Sequence, residues 1–460
     1  MHLIPQSWAH LHILVTVFPS VGLLFCIGLY VTGIISNDEG LKKTCLAAFG
    51  ILGLLAIPTY FSGFDSMADL TNNPKFTEDT VSDHMGWGIA ALGALGLTGL
   101  AAWIALVRST NKRVSDNALH VVLGLAIVTI ALMVVVGELG WEINHTEIGL
   151  ATKRTPQIWS HVHMILNHFP TVGYVFAIGF YIIALLLNNT VMKRTSLVLF
   201  VICTILGLPT FVTGNASMWA LTENGANKAL INAHRDMAIY TLFGLGFTGV
   251  TAWIELWRFR QLGRFSNRSL IAVLILSLIT LGIMAETGHR GGQINHPEIR
   301  VATDVQPSDP NAGLSVFVEK EINQVIWFVP WQTVHFFGYA LIFGTAFAVS
   351  LRVLGLWKSV SFESVHRILP LGVFGVTTNV FSGMLILQAD SSRYLNEITF
   401  VPKIIFITIG GIAVLYYSVS ESLWRVKAGE DAPMGAKWVA ALVLLSWIGV
   451  ILGGRLLPYV

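Results

Sequence analysis

Apolar runs long enough to cross the roughly 30 Å of a bilayer's hydrocarbon core recur along the whole chain. They fall at about 10–35, 43–63, 84–107, 117–137, 160–188, 194–214, 234–257, 267–287, 330–354, 366–388, 401–422 and 435–457. This pattern predicts an all-α polytopic membrane protein with about twelve transmembrane helices. The expected organisation is a four-helix membrane repeat at 1–150 and a second at 151–300. An outward loop with a possible interfacial helix follows at 301–329, then a C-terminal four-helix bundle at 330–460.

The first two bundles read as copies, because stretches of one recur in the other 150 or 151 residues later. IPQSWAHLHILVTVFPSVG opens the first and TPQIWSHVHMILNHFPTVG the second, pairing His10 with His161 and His12 with His163. His84 pairs with His234, and the Ile-Asn-His of His145 with that of His296. Pro58, Gly63 and Trp103 likewise match Pro209, Gly214 and Trp253. Apolar positions persist in such a unit simply to stay in lipid. Histidine has no such reason, since polar side chains in a bilayer are costly and usually placed for a purpose.

Composition agrees with the membrane reading. The chain is 54% hydrophobic, with mean hydropathy +0.68, and only 12% charged, against about 25% in soluble domains. Membrane lipid is therefore an expected partner; with a net charge of +2, nucleic acid is not. No Cys-x-x-Cys-His occurs for covalent haem attachment, and no Cys-x-x-Cys pair suggests zinc or an iron–sulfur cluster. No Lys or Arg precedes the first apolar run, so it reads as a retained helix and not a cleavable signal peptide.

Most of the 28 Lys and Arg lie in the segments after the odd-numbered spans, among them Lys42, Lys43, Arg113, Lys193, Arg264, Lys358 and Lys427. The positive-inside tendency makes those segments cytoplasmic and both termini outward. The expected location is a bacterial inner membrane with periplasmic termini. His120 and His366 then fall at the inner side, while His10, His12, His84 and His145 converge on the outer rim of the first bundle. His161, His163, His168, His234, His289 and His296 do so in the second, and His335 opens the ninth span.

A b-type haem needs two axial nitrogens on opposite sides of a flat macrocycle, commonly one His from each of two facing helices. His12 with His84, and His163 with His234, meet that requirement, each pair drawn from the first turns of two helices. Alternate residues lie about 200° apart on a helix, so His10 and His12 cannot both face one interior. His161 and His168 share a face, which leaves room for ligands in a second direction. The plain alternative is that each His is an interfacial hydrogen-bonding group; for His2, His120 and His366 that is the better reading. Glu138 and Glu286, near the histidine layer, could relay protons or steady a ring.

HMILNHFP (163–170) and TGHRGGQINH (287–296) carry a resemblance to an uncharacterised group of four-helix bacterial membrane proteins. Their first helix opens with His-x4-His-Phe-Pro and their fourth ends in Gly-His-x-Gly-Gly. The resemblance covers roughly 155–300 and implies a haem-binding redox module using His163, His168, His289, Gly291 and Gly292. The first repeat departs from it: Val17 replaces the second His, Glu138 stands where His289 would be, and Trp141 replaces Gly292. Residues 335–357 and 381–406 resemble a second uncharacterised membrane family, with Leu-Arg-x-Leu-Gly followed by a Thr/Ser-Gly, Arg-Tyr, Phe and Lys pattern.

The expected function is a membrane electron-transfer protein holding haem b, two or more, as a subunit of a respiratory redox complex. Quinone is a possible partner, and a periplasmic c-type cytochrome or other redox subunits are expected. Alternatives are a non-haem copper, iron or zinc site in the same histidine layer, or a transporter built on internal repeats.

Overall fold

The computed structural model describes residues 7–35, 37, 39–70, 78–144, 158–223, 225–295 and 313–456. Among them, twelve helices are long and apolar enough to cross a membrane, from Leu11–Ile35 to Met434–Leu456. Each expected apolar run falls in one of them. The chain forms two compact units, one of residues 1–158, 186–192 and 291–306, the other of 159–185, 193–290 and 307–460. The second repeat and the C-terminal bundle therefore share a unit.

In the first unit, α1 (Trp8–Val17) passes through a π-helical turn, Phe18–Gly22, into α2 (Leu23–Ile35). Then come α3 (Glu39–Leu70), α4 (Glu78–Arg108) and α5 (Asp116–Asn144). Small residues let these helices approach, as membrane packing requires. A methyl built on Gly53 would lie 3.2 Å from Gly99 Cα, and one on Gly50 would collide with the Trp103 indole. The glycine-rich face at 86–99 is only partly used this way, since Gly86, Gly88, Gly93 and Gly96 have no described neighbour within 4 Å. Thr98 and Thr129 hydrogen-bond across α4 and α5 at 2.9 Å.

The second unit begins with α6 (Ile158–Leu186), α7 (Thr190–Glu223), α8 (Lys228–Leu262) and α9 (Asn267–Asn295). The threonine contact recurs there, Thr248 meeting Thr280 at 3.3 Å while Tyr174 donates to Thr248. Next is α10 (Leu314–Ile322), whose Ser315, Val318 and Ile322 are buried. It lies within the 301–329 segment, and its first turn is fixed by Ser315 N–H donating to Asp236 at 2.7 Å. The C-terminal bundle comprises α11 (Val325–Leu354), α12 (Phe362–His366), α13 (Leu369–Ala389), α14 (Ser391–Asn396), α15 (Phe400–Val419), α16 (Glu421–Trp424) and α17 (Met434–Leu456). One apolar core joins it to the second repeat, with Val212, Ile239 and Leu242 packed with Met384, Leu385 and Ile404.

At the opposite end of these helices a polar latch secures the same seam. Arg260 donates to the Ser418 and Val419 carbonyls at 2.9 and 2.6 Å, and pairs with Glu421 at 3.0 Å. Arg194 reaches Glu421 at 2.7 Å. His366 is fully buried beside Trp424 and Ser418, so its role here is packing. Glu255, fully buried, accepts from Ser266 N–H in the α8–α9 turn and pairs with Arg258 at 3.9 Å. Arg352 is buried too, donating to the Val360, Lys427 and Glu430 carbonyls.

The hydrogen bond from Arg260, helped by Arg194, holds the Glu421 carboxyl down to about 2, against roughly 4.3 for a free glutamate. A depressed acid stabilises the fold above its unfolded value and loses that contribution as pH falls through its folded one. Glu421 is more than half exposed, so the pair contributes at most about 1 kcal/mol. We expect Glu421→Gln to melt slightly below the wild type at pH 6 to 8, with the difference vanishing toward pH 2. Thermal scans across that range in detergent check it.

Candidate histidine sites

His12 lies in the second turn of α1, and its ring stands against the far end of α3. Its Nδ1 lies 3.1 Å from the Thr59 carbonyl and 3.2 Å from Ser62 Oγ. A carbonyl only accepts, so Nδ1 carries the proton and Nε2 keeps its lone pair. His84, near the start of α4, makes the equivalent contact with α5, Nδ1 donating to the Val136 carbonyl at 3.0 Å. The two ring centroids are 6.5 Å apart, with planes at 89°. Four helix ends are thus tied together by two imidazoles.

The second repeat builds the same object. His163 Nδ1 donates to the Thr210 carbonyl at 3.0 Å, with Thr213 Oγ1 at 3.3 Å. His234 Nδ1 donates to the Thr287 carbonyl at 2.9 Å. These centroids lie 6.4 Å apart at 77°. Partners as well as histidines repeat: Thr59 and Ser62 of one copy correspond to Thr210 and Thr213 of the other.

Glycine makes the approach possible. A methyl at Gly63 would fall 2.7 Å from His12 Cε1, one at Gly140 2.9 Å from His84 Cε1, and one at Gly214 2.9 Å from His163 Cε1. Each ring lies on the bare backbone of the neighbouring helix, where any larger residue would push it away.

The remaining candidates divide. His161 and His289 are half-buried in α6 and α9. His168 turns back on its own helix, with Nδ1 donating to the Met164 carbonyl. Among the described residues, no three or more His, Cys, Asp or Glu side chains come together as a metal-holding group; the sites are pairs. Glu286 is taken by Arg290 at 2.8 Å, and Glu138 is exposed, so neither is hydrogen-bonded to a histidine of the pairs. His10 is in α1, but its side chain is outside the described set, as are the whole of His145 and His296.

One site escaped the sequence reading. His335 Nδ1 donates to the Asn379 carbonyl at 2.9 Å, with Ser382 Oγ at 3.2 Å, and a methyl at Gly383 would sit 2.8 Å from its Cε1. This is the arrangement of His12 and His163 in the C-terminal bundle. The signal was in the sequence: Trp-x3-His ends at His12, His163 and His335, and Ser/Thr-Gly stands at Gly63, Gly214 and Gly383. Among the described residues no second imidazole stands opposite it. Lys403, in the first turn of α15, lies against α17, its Cβ 3.0 Å from where a methyl at Gly453 would stand.

Comparison with known proteins adds one match. The family described as a predicted membrane protein, DUF2231, matches residues 160–302, which span the second histidine pair. No curated protein and no solved structure matches the chain.

The glycine contacts give a direct test. Gly214→Ala forces its methyl into His163 and is expected to destabilise by about 1–3 kcal/mol, the usual cost of overpacking. Gly179→Ala, in α6 with nothing within 4 Å, is expected to be neutral or up to about 1 kcal/mol stabilising through helix propensity. Paired thermal melts compare them; equal behaviour would show that the ring does not rest on Gly214.

Proposed function

We propose that this protein is a b-type haem-binding membrane electron-transfer protein, with one haem held by His12 and His84 and another by His163 and His234. The observation that carries this reading is the ring geometry. Metal–imidazole bonds of roughly 2 Å on both sides of one ion separate the ring centroids by roughly 6 Å. The two pairs stand at 6.5 and 6.4 Å.

Protonation and ligand count agree. Each ring uses Nδ1–H on a backbone carbonyl, which fixes the tautomer, holds the ring's orientation and raises the basicity of the ligating Nε2. A haem iron takes four of its ligands from the porphyrin and asks the protein for two. A zinc or copper ion without a macrocycle asks for three or four, so pairs favour haem over the non-haem alternative. Bound there, haem supplies one-electron exchange with no protein group changing covalently.

The chain's own residues do the rest. His12, His84, His163 and His234 would hold the iron. Gly63, Gly140 and Gly214 let the rings lie close against the neighbouring helices. The basic loops argue that the paired ends face the periplasm of a bacterial inner membrane. There a soluble c-type cytochrome or another subunit of a respiratory complex could exchange electrons with them, with quinone as the membrane-side partner.

The purified, dithionite-reduced protein should show Soret and α bands of low-spin haem b, with two haems per chain. His84→Ala or His234→Ala should each remove about one, and the double variant both. A spectrum without these bands, or haem content unchanged by the double substitution, would overturn the assignment.

A further inference from the structure

The C-terminal bundle keeps half of the histidine site and opens a cavity where the other half stands in the repeats. That cavity has a volume of about 420 Å³ and is lined by His335, Tyr394, Lys403 and Arg455, with Phe336 and Phe400 among its walls. His335 enters it with a fixed tautomer: the Asn379 carbonyl takes Nδ1–H, leaving Nε2 as an acceptor when neutral and a donor when protonated. Burial pushes the Tyr394 phenol above its ordinary value, so it stays protonated and able to donate. No Asp or Glu lines the cavity among its described residues. Two cations and a phenol thus line a largely apolar chamber whose described lining holds no carboxylate.

Such a lining asks for a ligand whose head offers acceptor oxygens and whose body is apolar. Aromatic walls favour a flat ring, and the membrane-embedded location favours a molecule delivered by lipid. We propose that this cavity binds a quinone headgroup, its carbonyl oxygens accepting hydrogen bonds from Lys403 and from Tyr394 or Arg455. His335 would stand beside it to exchange a proton. Choosing a quinone rests on the electron-transfer reading above; the existence of an acceptor-seeking pocket does not. Placement also fits, because Leu387, in the cavity wall, belongs to the apolar core that contains Ile239, little more than one turn beyond His234 on α8.

The likeness to the repeats ends at the position opposite the histidine. His12 and His163 each find an imidazole opposite; His335 finds the ammonium stem of Lys403 on Gly453. A lysine there gives up the second soft nitrogen ligand of a haem and gains a cationic donor. The Ser-Gly, Arg-Tyr, Phe and Lys pattern of 382–403 supplies the groups that meet in this one chamber: Gly383, Tyr394, Phe400 and Lys403.

The test is equilibrium binding of decylubiquinone and of menadione to the full chain in phosphatidylcholine nanodiscs, by calorimetry. We expect Lys403→Met and His335→Phe each to weaken binding at least tenfold, Lys403→Arg to retain most of it, and Glu421→Gln to match wild type. Thermal melts confirm that each variant is folded. Undiminished binding in both folded variants would overturn the proposal. So would a site filled by lipid phosphate, seen as quinone displaced when phosphatidylglycerol replaces phosphatidylcholine. Absorption spectra of the same samples report haem separately. Quinone binding that depends on Lys403 in a protein without haem bands would uphold the pocket and sink the electron-transfer reading.

Discussion

An imidazole inside an apolar helix bundle must hydrogen-bond or carry a heavy desolvation cost, and that requirement organises both duplicated sites. Helical carbonyls have already accepted one bond along their own helix, but each retains a second lone pair. His12, His84, His163 and His234 use those lone pairs on the neighbouring helix. The reach is short, so the neighbouring helix must be bare where the ring lands, hence Gly63, Gly140 and Gly214. Once Nδ1 is spent in this way, only Nε2 is left for chemistry. Helix packing, tautomer and ligand direction are consequences of the same contact.

The same contact recurs in the C-terminal bundle as well as in both repeats. In each, a histidine of the first helix donates to a carbonyl of the second: His12, His163 and His335. The third helix is free to vary, and it does. Histidine at 84 and 234 makes a pair, whereas lysine at 403 makes a cationic chamber. The scaffold keeps its hydrogen bonds in all three cases, and the chemistry is decided by one side chain across the gap.

Much of this was legible in the chain. Twelve apolar runs match twelve helices, among the described residues, that are long and apolar enough to cross a membrane, since hydropathy is a strong signal for such segments. The histidine pairs were legible too, because duplication brings out positions that lipid solubility does not require. Three things were not. Thr59, Ser62, Thr210 and Thr213 look like ordinary helix-interior hydroxyls until a ring is laid against them. Gly63 and Gly214 were matched without a reason, because a glycine's role depends on what passes over it. His335 was passed over since its offset from the repeats is not 150 residues, and its local Trp-x3-His is too short to stand out alone. Glu286 shows the reverse failure: it is near the histidine layer in sequence, yet Arg290, one turn away, has first claim on it.

If each pair of rings holds one haem iron as proposed, the two imidazoles on it should keep the steep angle they have here. Electron paramagnetic resonance of the oxidised protein at liquid-helium temperature tests it most directly, because low-spin ferric haem reports the angle between its axial ligands. Planes at 89° and 77° predict the strongly anisotropic, single-feature signal of perpendicular bis-imidazole ligation, lost in part from His84→Ala. A copper(II) signal, a high-spin haem signal, or the resolved three-line rhombic spectrum of parallel imidazoles would rule out haem held between these ring pairs.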